Sequence, residues 1–550
     1  MLERQRRFAK GIPGIPKTKM NTLDDYLNKS QENFDESCAK YGRTPKWSGE
    51  LYLQYHRGTY TSATITKKAN RQCEFILADT EFLSVVNMLV NNAKYPKNDF
   101  DTMWKQMLLN QFHDIIPGSC IKEVTDTAQD GYNYIKETCS KIKNEAYEEI
   151  ISNISSPKGM IVFNPHSYPC NDVVETNKGY AYIENVPAMG YKYVDEISYK
   201  NEAIVTENSV SNKFFDIKFN ENGDIISIFD KENNREIVNG VANTLVAYED
   251  RPKFYDAWEM THYYGQKPYK FEGLVSIVPY ENGAKKGVTV TRKFMDSTLI
   301  QNIIVYDNIR KIDFETSIDW HQQHLIVKVL FPVNVFTNKV TAEIQYGNVE
   351  RTTHKNRSWD EAQFEMCMHK WIDLSDNGFG VSFLNDCKYG YSCDENVVGL
   401  TLLKCATDPN PVQDQGHHSF TYSIYTHQDG PCKGETVQMA YNLNNKMTVI
   451  EKEETKGTLP ESYSFISCDR ENVIIETVKK AENDDDIIVR MYDSYNMTTD
   501  ATLTFGFDIK KAYVCDLNEN ILQELDINDN TMTTKVKNFE IVTLKLSKDN

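Results

Sequence analysis

Between about residue 47 and residue 152 the apolar positions recur at helical spacing, and beyond about residue 158 they alternate with polar ones. The chain therefore passes from helices to strands in one step. Phe82, Val85, Val86, Met88 and Leu89 lead one helix. Phe100, Met103, Trp104, Met107, Leu108 and Phe112 give the apolar face of a second, and a third runs from Ser119 to about Asn153. Three helices with short connections predict a three-helix bundle over residues 46–153. Pro157 and Gly159 end the helical pattern. Phe215, Ile217 and Phe219 then alternate, Asn222-Gly223 reads as a type I′ hairpin turn, and Ile226 and Ile228 resume the alternation. A second such turn at Asn282-Gly283 is followed by alternating stretches at 288–291, 299–306, 312–318 and 325–331. Together they predict a large antiparallel β-sandwich over 158–445. Shorter strands at 487–491, 501–505 and 539–546 predict a small terminal β domain over 446–550. Residues 1–45 are basic, then polar, with a Gly/Pro loop at 11–16. The expected fold class is α+β and multidomain.

A break between the second and third helices carries the most chemistry. Pro117 biases Ile116 away from helix, and Gly118 can take the positive φ that ends it. Ser119 is the expected cap of the next helix, with Glu123 near its positive end. His113 and Asp114 stand side by side at this junction, where polar tips can leave the core while the backbone holds them. Two neighbouring residues do not define a metal site, because catalytic zinc typically takes three protein ligands and an open position.

Composition narrows the class. With 79 acidic against 61 basic residues the net charge is −18, which argues against a nucleic-acid backbone or an anionic membrane as partner. No apolar stretch approaches the length of a membrane span, and no signal peptide is visible. The acidic run at 482–486 reads as a charged hairpin tip. The 32 Tyr and 25 Phe suit both β-core packing and sugar faces. Twelve cysteines lack any Cys-x-x-Cys spacing, so reduced thiols in a cytosolic or related compartment fit best, and the expected location is cytoplasmic or vacuole- or lysosome-like. The sequons at Asn28, Asn153, Asn356 and Asn496 are near what chance gives in an Asn-rich chain.

The segment Leu108-Leu-Asn-Gln-Phe-His-Asp-Ile-Ile-Pro-Gly-Ser119 resembles a motif of the glycoside hydrolase family 38 α-mannosidases, as does Trp47-Ser-Gly-Glu-Leu-Tyr-Leu-Gln-Tyr-His-Arg-Gly-Thr-Tyr-Thr-Ser62. Further likenesses follow in order at Val162-Phe-Asn-Pro165, Glu249-Asp-Arg-Pro252 with Asp256-Ala-Trp258, 353–360, 384–391 and 471–480. The resemblance implies a retaining enzyme with one Zn²⁺, held by a His-x-Asp pair, a nucleophilic aspartate and a further histidine that His113 matches. Asp114 then matches a carboxylate contacting the sugar, His56 and Arg57 would line its site, and Gln415 lies in the loop Asp414-Gln-Gly-His-His418 that resembles a cleft loop. His354 and Asn356 are weaker candidates. Glu50 is the nearest carboxylate to the position of the family's acid/base. The implied substrates are mannose-containing oligosaccharides of N-glycan type, and a homo-oligomer is compatible with the resemblance.

By the same resemblance Met1 falls late in the catalytic α/β domain, so residues 1–45 would be its tail and the nucleophile would lie outside this chain. The lone His-x-Asp here, His427-Gln-Asp429, stands in β-patterned sequence beside Gly430-Pro431 and reads as a turn. The expectation is a C-terminal part lacking most of the catalytic domain and inactive by itself. The alternative is a catalytically inactive carbohydrate-binding or assembly module.

Overall fold

The structure is a computed structural model describing residues 2–432 and 434–548. The chain divides into two compact units, residues 1–53 and 54–550. The first contains α1 (Leu2–Lys10) and α2 (Leu23–Tyr41), separated by the Gly/Pro loop. Thr22 caps α2 through its side chain, and Gly42 ends it in the left-handed region. Neither helix has a buried residue.

The second unit begins with a short 3₁₀ segment, Gln54–Tyr60, and continues into α3 (Thr64–Asn91), α4 (Lys97–Asn110) and α5 (Lys122–Ser152). Cys73 and Leu77 of α3, Met103 and Met107 of α4, and Tyr132 and Ile135 of α5 meet in one core. That core does not stop at the helices. It continues through Val473, Ile487, Met491, Leu503 and Leu544, so the terminal strands share it with the helices. The apolar face expected on α4 is only partly used. Phe100, Met103 and Met107 are buried, while Leu108 within the helix and Phe112 beyond its end at Asn110 are exposed.

The β region is antiparallel throughout its named strands. A nine-stranded sheet runs in spatial order from Gly273–Asn282 through Lys285–Phe294, Ser297–Val305 and Lys311–Trp320 to Gly416–His427, then returns by Gly380–Asn385 and Trp371–Ser375. It faces a six-stranded sheet centred on Leu325–Pro332 and Val397–Lys404. Side chains from both, including Phe314, Phe331, Phe383 and Tyr422, fill the core between them. The terminal region pairs a five-stranded with a three-stranded sheet.

One local expectation changes and one holds. Asn222-Gly223 does not form a two-residue turn: Phe219 pairs with Ile225, leaving a five-residue loop in which only Gly223 has positive φ. The Asn220 side chain accepts from the Asn222 and Asp224 amides and so stabilises the longer connection. The acidic run at 482–486 does sit at a hairpin tip, where Lys545 reaches Asp484 and Lys97 reaches Glu482.

Candidate functional site

His113 and Asp114 project from the turn between α4 and α5. Their side chains are 76% and 45% exposed, with His113 Nε2 3.4 Å from Asp114 Oδ2. The Phe112 ring lies 4.4 Å from the imidazole. Asp114 is fixed at its other oxygen, which accepts from Ser119 Oγ at 2.9 Å, and its carbonyl accepts from the Ser119 amide at 3.0 Å. This bond explains a departure from expectation. Ser119 is engaged by Asp114 and does not cap α5, whose N-cap is Ile121 without a side-chain bond.

Beneath the exposed pair lies a buried polar knot. Gly118 has φ +79, and a Cβ there would stand 2.2 Å from the Ser62 carbonyl oxygen. Lys67, fully enclosed on α3, donates to the carbonyls of Ser62, Ile116 (2.9 Å) and Pro117 (3.1 Å). Burial pushes this ammonium down to about 7, opposed by the nearby Asp414 charge. Asp414 accepts from the amides of Ala63 (2.9 Å) and Thr64 (2.7 Å) at the start of α3, a carboxylate on a helix N-terminus supplied from far along the sequence. The His418 ring contacts the Asp414 carbonyl at 3.0 Å and steadies that loop. Sequence reading missed Lys67, since a lysine in Thr-Ile-Thr-Lys-Lys carries no sign of burial.

The segment 54–64 is where the distant sequence blocks converge. Gly58 N donates to the Trp258 carbonyl at 2.9 Å and Ser62 Oγ to the Ala257 carbonyl at 2.6 Å. Arg57 is buried. It donates to the carbonyls of Ala362 (2.7 and 3.2 Å) and Gln54, faces Glu259 at 3.8 Å, and stacks over Phe364. Its guanidinium is thus committed to protein groups, whereas His56 is exposed at a kink of the same segment. Beside them a cleft of about 540 Å³ is walled by Arg251, Phe254, Tyr255, Asp256, His324 and Asp408. Phe254 and Tyr255 there are 64% and 69% exposed.

The remaining candidates fall elsewhere. Gln415 Nε2 donates to the Gln322 carbonyl at 2.6 Å, within the same loop as Asp414. His354 lies 3.6 Å from Asp360, which Arg357 holds with two 2.8 Å bonds; Asn356 is exposed in the same turn. Glu50 belongs to the first unit, where its carbonyl accepts from Trp47 Nε1. His427 is buried and bonded to Asp373 at 2.7 Å, while Asp429 sits in the following bend. Among the described residues no three His, Cys, Asp or Glu side chains gather as a metal-holding group. His113 and Asp114 alone do not fit a three-ligand zinc centre.

This combination of helices and paired β-sandwiches has counterparts among known proteins. Residues 54–150 match the profile of the alpha mannosidase middle domain, 210–412 that of the glycosyl hydrolases family 38 C-terminal domain, and 472–544 that of the family's C-terminal beta sandwich domain. The chain belongs to glycosyl hydrolase family 38. It is 30% identical over 573 residues to alpha-mannosidase 2C1 of Homo sapiens, covering 99% of this chain and 54% of that protein. Alpha-mannosidase G of Dictyostelium discoideum is 31% identical, with 99% and 56% covered. The fold matches a solved alpha-mannosidase from Enterococcus faecalis V583 with a TM-score of 0.79 at 16% identity, covering 100% of this chain and 74% of that one. The chain spans about half the length of the curated relatives it matches.

Proposed function

We propose that this chain acts as part of an α-mannosidase that removes terminal α-linked mannose from N-glycan-type oligosaccharides with retention of configuration. The observation that carries the reading is the exposed His113–Asp114 pair on a rigidly backed turn, in a chain whose relatives are named alpha-mannosidases. His113 offers an imidazole nitrogen as one ligand to Zn²⁺. Asp114, held at one oxygen by Ser119, has its other oxygen beside the imidazole, where it would accept from a sugar hydroxyl. His56 and the Phe254–Tyr255 aromatics offer further contact surface, and Arg57 shapes the segment from below. Bound zinc would supply Lewis-acid and templating chemistry.

The reading assigns the nucleophile and the other ligands to sequence outside this chain. Two observations favour that division: no three-ligand group occurs among the described residues, and the relatives are about twice as long. The twelve cysteines, all free, favour a reducing compartment such as the cytoplasm over an oxidising one. The ligand count also favours the second reading, a carbohydrate-binding or assembly module without catalysis.

Hydrolysis of an aryl α-mannoside tests both. The purified chain should show no turnover and retain no zinc; chelator-sensitive turnover by this chain alone would sink the division. Joined to the family's upstream catalytic region it should hydrolyse the mannoside, and His113→Ala should abolish that activity. Failure of the joined form to turn over would leave the binding-module reading. Intact mass separates the readings further, since a native species near 63.5 kDa favours the module.

A further inference from the structure

A cavity of about 300 Å³ lies where α3 and the end of α4 meet strands Lys339–Ile344 and Val473–Lys480. Its lining draws on the sequence blocks at 162–165 and 471–480, which the His113 turn does not use. Its volume is at the lower end of what small-ligand sites occupy.

Among the described residues, two that line it carry a buried polar atom with no hydrogen-bond partner, Arg71 at Nη2 and His166 at Nε2. Both residues are buried, at 3% and 4% exposure. The rest of the Arg71 guanidinium is used, with Nε donating to Tyr389 OH at 2.9 Å and Nη1 to Asn444 Oδ1 at 2.8 Å. Burial pushes the His166 imidazole down to about 3, so the ring is neutral, and its Nε2 is unpaired among the described residues. The lining thus holds an unmet donor at Arg71 Nη2 and an unpaired ring nitrogen at His166 Nε2, each unfavourable while buried and unpaired.

Charge then restricts what fits. Carboxylates, among them Glu74, Glu343 and Glu476, outnumber the cations Arg71 and Lys370 around this space. Burial already raises Glu74, and Glu81 to about 7, so an anion would meet added repulsion. A cation would face the unpaired guanidinium edge. Tyr168, stacked on His166 at 5.0 Å, and Tyr441 add ring surface.

We propose that this cavity is a second, non-catalytic site for a neutral monosaccharide-sized polyol, whose hydroxyls hydrogen-bond to His166 Nε2 and accept from Arg71 Nη2 while its C–H face packs on the tyrosines. It stands whether or not the mannosidase reading holds, because its test reads binding by this chain without turnover.

Saturation-transfer NMR and calorimetry of the purified chain with D-mannose should give saturable binding with a dissociation constant on the order of 1 mM. Binding should weaken at least about tenfold in His166→Phe and in Arg71→Lys, persist in His113→Ala, and resist competition by inorganic phosphate. If either buried variant fails to fold, Gln345→Trp at the exposed rim should block entry instead. The proposal is overturned by absence of saturable binding up to about 50 mM, by preferential phosphate binding, by sugar binding unchanged in the folded variants, or by loss of binding in His113→Ala.

Discussion

The exposed His113–Asp114 turn and the buried knot below it are both polar, yet they are built in opposite ways. At the turn two side chains reach solvent with few partners, while Asp414, Lys67 and Arg57 spend nearly every donor and acceptor inside the protein. The difference separates groups free to meet a ligand from groups that hold the first kind still. A polar residue within a sequence block is therefore not evidence of contact with substrate. Buried polar networks rigidify only when satisfied, and this one is.

The largest effect should come from Gly118→Ala. The added Cβ would collide with backbone at Ser62, and φ +79 is strained for alanine, so neither side can yield easily. Urea unfolding should show a loss on the order of 3 kcal/mol or more. A near-neutral result would mean that the turn is not locked onto the start of α3. Next, Asp414→Ala should cost about 2 kcal/mol, because it strips two acceptors from the first amides of α3 and leaves Lys67 without its nearest negative charge. Asp414→Asn should recover part of this.

The buried histidines sharpen the contrast through pH. Burial holds His166 and His369 down at about 3, against an ordinary value of 6.5. Between those values the unfolded chain binds protons that the folded chain refuses, so stability is full above about pH 6.5 and falls as the pH drops toward 3. Going from pH 7 to about 5.5 should cost on the order of 1 kcal/mol per histidine, read as a falling melting temperature. His369→Phe should flatten that slope, and an unchanged slope would place the sensitivity elsewhere.

How far these arrangements were legible in the sequence follows from range. The helices and the strand regions rest on local periodicity and backbone preference and stand near where the spacing puts them, although α4 already stops at Asn110, ahead of Pro117-Gly118, and α5 starts at Lys122. The exposed pair was legible for the same reason. The Asp414–α3 cap spans 350 residues of sequence, and the Lys67 clasp depends on carbonyls that carry no side-chain signature. Ser119 was misread because a local Asp114 bond competes with capping. The core shared by the helices and terminal strands was likewise invisible, since each element shows only that it has an apolar face and not which element covers it.

The smallest stability effect should belong to His113, the residue proposed to contact zinc. His113 is 76% exposed and touches little besides Phe112 and its neighbour's carboxylate. His113→Ala should change unfolding free energy by no more than about 0.5 kcal/mol, the range of ordinary surface substitutions. Ser119→Ala removes the bond orienting Asp114 and should cost about 1 kcal/mol, although it lies farther from solvent chemistry. If the order were reversed, with His113→Ala the more damaging in urea, the imidazole would be part of the support. A side chain that is dispensable for folding yet held beside a fixed carboxylate is the pattern expected of a group kept for a ligand.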